Sequence, residues 1–288
     1  MKITTDYKDY EIIDSSNGMK LERWNQVYLL RPDPQIIWDN GDLERKYFNK
    51  IDSVYYRSNS GGGHWENKKK FPNNWVVSYH DMKFNIKQMG FKHTGLFPEQ
   101  AYNWNYLHEK ISKANRKIKA LNLFAYTGGA TVACMSAGAH VTHVDSSRGM
   151  VDWAKENVKI NNLDESMVRY IVDDVIKFVS REIRRGNKYD VIIMDPPSFG
   201  RGANGEVWDI EKDLYRLLVL CKEILSETPL LVLVNSYSGL SPSLLENLLS
   251  LTINKDGLGK ISSDEIGLPI NDHDLVLPCG IYGRVDYE

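Results

Sequence analysis

Residues 121–145 read LNLFAYTGGATVACMSAGAHVTHVD. Two short apolar runs, LNLFAY and HVTHVD, enclose GGATVACMSAG, whose small and apolar residues suit a helix, and the glycine pair frees the backbone for a tight turn between strand and helix. A strand, a glycine turn, a helix and a second strand ending in an acid make one βαβ unit, the crossover that parallel strands require. The alternation continues downstream: MVDWAKENVKI, then VRYIVD; DVIKFVSREIRR, then YDVIIMD; DIEKDLYRLLVLCKEIL, then LLVLVNS and SPSLLENLLSL. In the second helix Val151, Ala154 and Val158 fall at offsets 0, 3 and 7, while Asp152, Lys155 and Glu156 take the wet side. Five such units predict an α/β architecture, a doubly wound and mainly parallel sheet with helices on both faces.

Upstream the text changes character. Residues 1–95 are β-rich in short aromatic pieces (WNQVYLLRP, PQIIWD, SVYYRS, NWVVSYH, FNIKQMG) broken by RPDP, SNSGGGH and FPNN, all turn-forming clusters. This predicts a small, mainly antiparallel amino-terminal domain over 1–95 and the α/β domain over 96–288.

Composition limits the partners. With 36 basic and 38 acidic residues the net charge is −2, so no global basic field holds nucleic acid and any such contact is local. Cys134, Cys221 and Cys279 lie far apart without paired spacing, which fits neither a disulfide framework nor a metal site and suits a reducing compartment. No apolar run approaches the length of a membrane span and the start carries no apolar leader, so a cytoplasmic protein is expected. Nothing points to an obligate protein partner.

In an open parallel sheet, ligands bind beyond the carboxyl ends of the strands, near the point where strand order reverses. The first strand closes in AYTGGA, and the second at Asp145, seventeen residues past Gly128. An acid about 20 residues beyond a glycine turn is where α/β nucleotide sites place a carboxylate for the ribose hydroxyls. The alternatives are a plain tight turn for the glycines and a helix N-cap for Asp145, Ser146 or Ser147. The third strand ends at Asp173 and Asp174 and the fourth at Asp195. A dinucleotide site wants G-x-G-x-x-G, whereas this chain has YTGGATVA and no phosphate-loop lysine, so an adenosine without phosphates fits better.

These residues resemble the class I S-adenosylmethionine-dependent methyltransferases, whose fold is a Rossmann-like doubly wound sheet. FAYTGGA looks like their first motif, Asp145 like their ribose acid, VDDV like their adenine-contacting acid, and DPPSF, in Tyr189–Arg201 (YDVIIMDPPSFGR), like their fourth motif. With HTGLFPEQAYNW (93–104) and DPPSFGRGANGEVWD, the match narrows to the large-subunit rRNA methyltransferases that include cytosine-C5 and guanine-N7 enzymes, nearest a branch carrying DPPxFGRG. The resemblance implies S-adenosyl-L-methionine as cofactor, held by Gln100, Tyr126, Thr127, Gly128, Gly129, Asp145, Ser146, Asp173, Asp174 and Asp195. It implies Asp195, Pro196, Pro197, Phe199 and Tyr237 as the catalytic group, and RNA, favoured as rRNA, as acceptor. The prolines stiffen the turn that carries Asp195.

The chemistry departs from one branch of that family. Cytosine C5 is a poor nucleophile, so its methylation needs a thiolate to add at C6. Where the cytosine enzymes resemble S-C-S-G-L, this chain reads Ser236-Tyr237-Ser238-Gly239-Leu240. Tyr237 takes the cysteine's place and a phenol cannot do that work; a nitrogen acceptor needs only positioning. Tyr237 then serves as a stacking or hydrogen-bonding wall, its alternative being a buried tyrosine. Cys134 and Cys221 read as core, and Cys279 as core or pocket lining. Phe199 comes one residue later than the aromatic of the DPPY amino-methyltransferases, which stacks on a flipped base. Arg201, Lys68–Lys70 and the exposed-looking Trp65, Trp75 and Trp104 are candidates for RNA contact, against the plain reading of a solvated face. Two rival functions stand beside this one, a methyltransferase for small molecules or proteins and a cofactor-binding module without turnover.

Overall fold

The computed structural model describes residues 1–288 apart from Ser60, Ala203, Asn204, Ser238 and Glu288. Two units divide the chain: Met1–Lys2, Tyr102–Ile266 and Gly280–Glu288 form one, Ile3–Ala101 and Gly267–Cys279 the other.

After the short β1 (Lys2–Ile3), the amino-terminal unit is built on β2 (Tyr10–Ser16), β3 (Met19–Trp24) and β4 (Val27–Pro32), an antiparallel meander. Asn17 and Gly18 both take positive φ, 49° and 74°, as a two-residue hairpin turn requires. The helical turn α1 (Leu43–Lys46) leads to β5 (Ser53–Arg57), parallel to β4, and β6 (Gly63–Asn67) returns antiparallel to β5. β7 (Asn74–Tyr79) and β8 (Met82–Lys87) form a separate hairpin. Leu21, Leu30, Leu43, Ile51 and Val54 form a hydrophobic core under β2–β5 and α1. Ile270 pairs with Ile12, and this ladder contact is why 267–279 groups here rather than with the residues downstream of 95.

The tryptophans do not form the exposed set expected of them. Trp65 and Trp75 are half-buried, donating their indole N–H to the carbonyls of Met89 (2.9 Å) and Trp24 (3.0 Å). Lys68 is paired with Glu66 and Glu44, and Lys69 with Asp52, so two of the three lysines are already neutralised.

The larger unit opens with α2 (Ala101–Lys113) and alternates through β9 (Lys119–Leu123), α3 (Gly129–Ser136), β10 (His140–Asp145), α4 (Arg148–Ile160), β11 (Val168–Val172), α5 (Val175–Arg185) and β12 (Val191–Met194). A small antiparallel ribbon follows, β13 (Phe199–Arg201) with β14 (Val207–Asp209), then α6 (Ile210–Glu223), β15 (Leu231–Ser236), α7 (Pro242–Leu251), β16 (Lys260–Ile270) and β17 (Leu275–Asp286). Strand order is β11-β10-β9-β12-β15-β17-β16. The first five are mutually parallel and β17 runs antiparallel to β15.

Parallel central strands are covered on both faces, which explains why VIIM of β12 and LVLV of β15 are continuous apolar runs. Val151, Ala154 and Val158, the apolar stripe read from the sequence, are buried in α4. Helix ends obey local chemistry. Asp174 caps α5, which stops at left-handed Gly186, and Ser241 caps α7 with Pro242 in its first turn. The chain builds outward from β9 to β11 and then returns to β12 on the other side of β9, so strand order reverses between β9 and β12. The loops leaving those two strands, 124–128 and 195–198, therefore flank the crevice where this architecture holds ligands.

Candidate active site

The first of those loops is bent in an uncommon way. Phe124, Tyr126 and Gly128 all occupy the left-handed region, with φ of 53°, 51° and 86°. For two side-chain-bearing residues that is strain of the kind found at ligand sites. Its visible product is a backbone N–H aimed across the sheet: Tyr126 donates to Asp145 Oδ2 at 2.9 Å. Ser147 N–H donates to the other oxygen, Oδ1, at 2.8 Å. The glycines are required by packing as well as by φ. A Cβ on Gly128 would sit 3.0 Å from the Ala154 Cβ, and one on Gly129 would sit 2.7 Å from the Trp104 ring. Trp104 is thus a buried wall behind the glycine turn, not an exposed contact, and this corrects the sequence expectation. Its spacing with Leu107 and Ile111, offsets 3 and 7, is the helical signal that identifies it as core.

Asp145 is a held acceptor. Burial raises its carboxyl above the usual range, and the two N–H donors offset that rise only in part. Asp195, just past β12, is different. It is half-buried, its own N–H reaches the Leu123 carbonyl at 3.4 Å, and no group among the described residues donates to its carboxylate. Burial alone pushes that carboxyl up to about 6.

At the end of β11, Asp173 is paired with Arg181 and accepts the Asp174 N–H, while Asp174 accepts the Lys177 N–H at 2.9 Å as the cap of α5. Thr127 is buried, and its carbonyl accepts from Asn157 at 2.8 Å. Ser146 is exposed beside Asp145.

The DPPSF turn is pinned from outside. Trp208 donates its indole N–H to the Pro197 carbonyl at 2.7 Å, and its ring lies 4.7 Å, centroid to centroid, from Phe124. Pro196 is buried, Pro197 and Phe199 exposed. Tyr237, just past β15, is 39% exposed, so it is not the buried tyrosine that formed its alternative reading. Gly280 of β17 lies so close to this bend that a Cβ there would meet the Ser236 carbonyl at 2.6 Å. The Trp208 clamp has no local signature in GEVWD.

The cofactor and catalytic candidates therefore lie at or just past the carboxyl ends of β9, β10, β11, β12 and β15, except Phe199, which opens β13, and Gln100. Gln100 ends the short turn Pro98–Gln100 and belongs to the amino-terminal unit. The three cysteines are buried and free. The described residues hold one group with metal-ligand spacing, Asp14, Asp272 and His273 in the amino-terminal unit. The Lys46 ammonium reaches both carboxylates, at 2.8 and 2.7 Å, and supplies there the positive charge a metal would bring.

A family model described as S-adenosylmethionine-dependent methyltransferase matches residues 50–250. A solved structure described as the SAM-dependent methyltransferase of Agrobacterium tumefaciens superposes with a TM-score of 0.93 at 34% identity, covering 100% of this chain and 93% of that one. The chain belongs to the S-adenosylmethionine-dependent methyltransferases. Within that family it is 26% identical over 224 residues to ribosomal RNA large subunit methyltransferase K of Neisseria meningitidis, 75% of this chain and 62% of that protein. Methyltransferase I of Klebsiella pneumoniae is 37% identical over 124 residues, 43% of this chain and 30% of that protein. The chain thus spans less than two thirds of either relative's length. The donor set fits the cofactor of the family: one braced carboxylate and one bare, desolvated carboxylate suit a diol and a positively charged or N–H-bearing group. No helix among the described residues is long and apolar enough to cross a membrane.

Proposed function

We propose that this methyltransferase acts on an unpaired base of ribosomal RNA and that its acceptor atom is a nitrogen. The reading for rRNA is supported by the relatives named above; the cytoplasm is the compartment that goes with it. The preference for nitrogen is carried by one observation, the absence of a thiol where carbon methylation needs one. Tyr237 stands just past β15, while Cys134 and Cys221 are fully buried within helices and Cys279 is buried in the other unit.

Bound S-adenosylmethionine supplies an electrophilic methyl group on a sulfonium. The roles that follow belong to the protein. Asp145, with its orientation fixed by two backbone N–H donors, accepts both ribose hydroxyls. Gly128 and Gly129 let the turn approach the ligand closely. Asp174, with Asp173 beside it, borders the adenine end, and Gln100 and Thr127 complete the cofactor set. Asp195 meets the cofactor's ammonium or the acceptor's N–H. With its carboxyl near 6 it is ionised at neutral pH, yet basic enough to take up a proton from a nitrogen acceptor. Pro196 and Pro197 hold it in place, Tyr237 bounds the acceptor base, Phe199 on the same turn meets the RNA beside it, and the remaining requirement is alignment.

The test is transfer of tritiated methyl to large-subunit rRNA from cells lacking the gene, beside rRNA from cells that have it. Labelling of the first alone supports the reading. Equal labelling of neither, with transfer to small molecules or protein instead, overturns the RNA assignment.

A further inference from the structure

The ribbon β13–β14 has two faces of opposite character. In its register Gly200 stands opposite Trp208, and both point inward. Trp208 clamps the Pro197 carbonyl and packs on Phe124, and Gly200 lies so close to the DPPSF turn that a Cβ would touch Pro197 Cγ at 3.5 Å. Alternation then turns Phe199, Arg201, Val207 and Asp209 outward, where Phe199 is 56% and Val207 54% exposed and the Asp209 carboxylate is already paired with Lys212. The Arg201 guanidinium lies 5.8 Å from the Phe199 ring centre, and no carboxylate among the described residues pairs with it. Two large apolar side chains held in water beside an uncompensated cation contribute nothing to the core and are a surface kept for something else.

Resting on the proposal that RNA is the acceptor, we propose that this outer face holds the single-stranded nucleotide next to the reacting base, with its base stacked on Phe199 and Val207 and its phosphate paired with Arg201. Three observations favour that occupant. An exposed ring presents a π-face that any base can use, and guanidinium matches phosphate geometry in two-point contact. Strands of three residues offer too short an edge for an added peptide strand, which argues against a protein segment. The ribbon's inner face touches both the cofactor loop, through Phe124, and the Asp195 loop, through Pro197. A nucleotide gripped outside is therefore held in register with the reacting centre inside, and the hairpin acts as a spacer of fixed thickness.

The full-length protein, titrated with a fluorescein-labelled single-stranded RNA 20-mer of mixed unpaired sequence, tests this. Phe199→Ala should weaken binding about five- to a hundredfold, the range for one base–aromatic stack, while Phe199→Trp restores it. Arg201→Gln should flatten the slope of log K against log salt by about 0.7, as loss of one phosphate contact on a single strand does. Affinity for S-adenosylhomocysteine, measured on the same preparations, should stay within about twofold and report that the inner face is intact. A duplex of the same sequence should compete poorly, since paired bases cannot stack on the ring. If the wild type binds this RNA and both substitutions leave affinity and slope unchanged, or the duplex competes equally, the ribbon assignment falls while the RNA reading stands. If the wild type neither binds the RNA nor labels rRNA, both fall together.

Discussion

Asp145 and Asp195 end the two strands that flank β9, and their surroundings are opposite. Asp145 is gripped by two backbone N–H groups, one of them aimed by a left-handed Tyr126, so its charge is partly compensated before any ligand arrives, although burial still leaves its carboxyl above the usual range. Asp195 has no donor among the described residues and sits on a proline-stiffened turn, where burial lifts its carboxyl to about 6. The difference teaches a division of labour. A braced carboxylate is a fixed acceptor whose charge does not depend on what binds, whereas a bare one is costly when empty and becomes favourable only when a partner with a proton or a positive charge meets it. On the proposed reading, binding belongs to the first and turnover to the second.

The largest expected effect breaks that division at Asp195. Asp195→Asn keeps the shape and removes the charge, and single-turnover methyl transfer should slow by about a hundredfold or more, the scale on which one preorganised polar group counts. Calorimetric affinity for S-adenosylhomocysteine should change by less than about tenfold, because the charge acts mainly in the transition state. Equal losses in both would merge the two carboxylates into one binding function. At Asp145 the order inverts. Asp145→Ala would remove the two charge-assisted hydrogen bonds proposed to the ribose, each on the order of 1.5–3 kcal/mol, and should raise the cofactor's dissociation constant at least tenfold in a protein that still folds. An unchanged constant would take the ribose role away from this residue.

A subtler effect sharpens the contrast through pH. The folded carboxyl of Asp195 lies near 6 and an unfolded one near 3.9, so the folded state holds its proton more tightly. The resulting penalty on folding is absent below about pH 4, grows between 4 and 6, and is fully present above 6. Asp195→Asn should therefore raise Tm at pH 8 and lose most of that advantage by pH 4.5, the reverse of its effect on turnover. The rate of the wild type should fall as pH drops through about 6. A variant that melts lower than wild type at pH 8 would mean the carboxylate has a partner that stabilises it.

How much of this could be read in the sequence follows from which forces write themselves into residue types. Parallel strands buried on both faces appear as apolar runs, and an acid directly after such a run stands out, so β9, β10, β11, β12 and β15 and the positions of Asp145, Asp173, Asp174 and Asp195 at their ends are legible, whereas the ribbon β13–β14 is not. Capping is equally local, yet the residue types suggest it at Asp145, Ser146 and Ser147, while it is Asp174 whose side chain caps a helix, α5. What stayed hidden depends on distant contacts. Trp208 in GEVWD carries no mark that it will reach back to Pro197, and Phe124 and Tyr126 are not residues that announce a left-handed backbone. Trp104 was misread as exposed because its polar neighbours outweighed its helical spacing with Leu107 and Ile111. The pairing of Ile270 with Ile12, which draws 267–279 away from its sequence neighbours, is likewise invisible in a reading that moves along the chain.

The smallest expected effect tests what stands outside both carboxylate roles. Cys134 and Cys221 are fully buried and Cys279 nearly so; burial pushes the Cys134 thiol up to about 12 and the other two in the same direction. A neutral, enclosed thiol is a poor nucleophile, since the thiolate is the reactive form. Replacing all three with Ala or Ser should cost stability, because each fills core space, but should leave single-turnover transfer within about threefold of wild type at a temperature where the variant is folded. With RNA containing 5-fluorocytosine no covalent complex should accumulate, because such a complex forms only when a thiolate has added to the ring. These outcomes are coupled to Tyr237: if the phenol is a wall, Tyr237→Phe should keep most of the rate and Tyr237→Cys should not create cytosine methylation, since a thiol placed there is not thereby ionised and aligned on C6 of a bound base. A trapped adduct in the wild type, or transfer abolished by one cysteine change in a folded protein, would show a thiol reaching the rim in a conformation other than this one, and carbon would replace nitrogen as the acceptor.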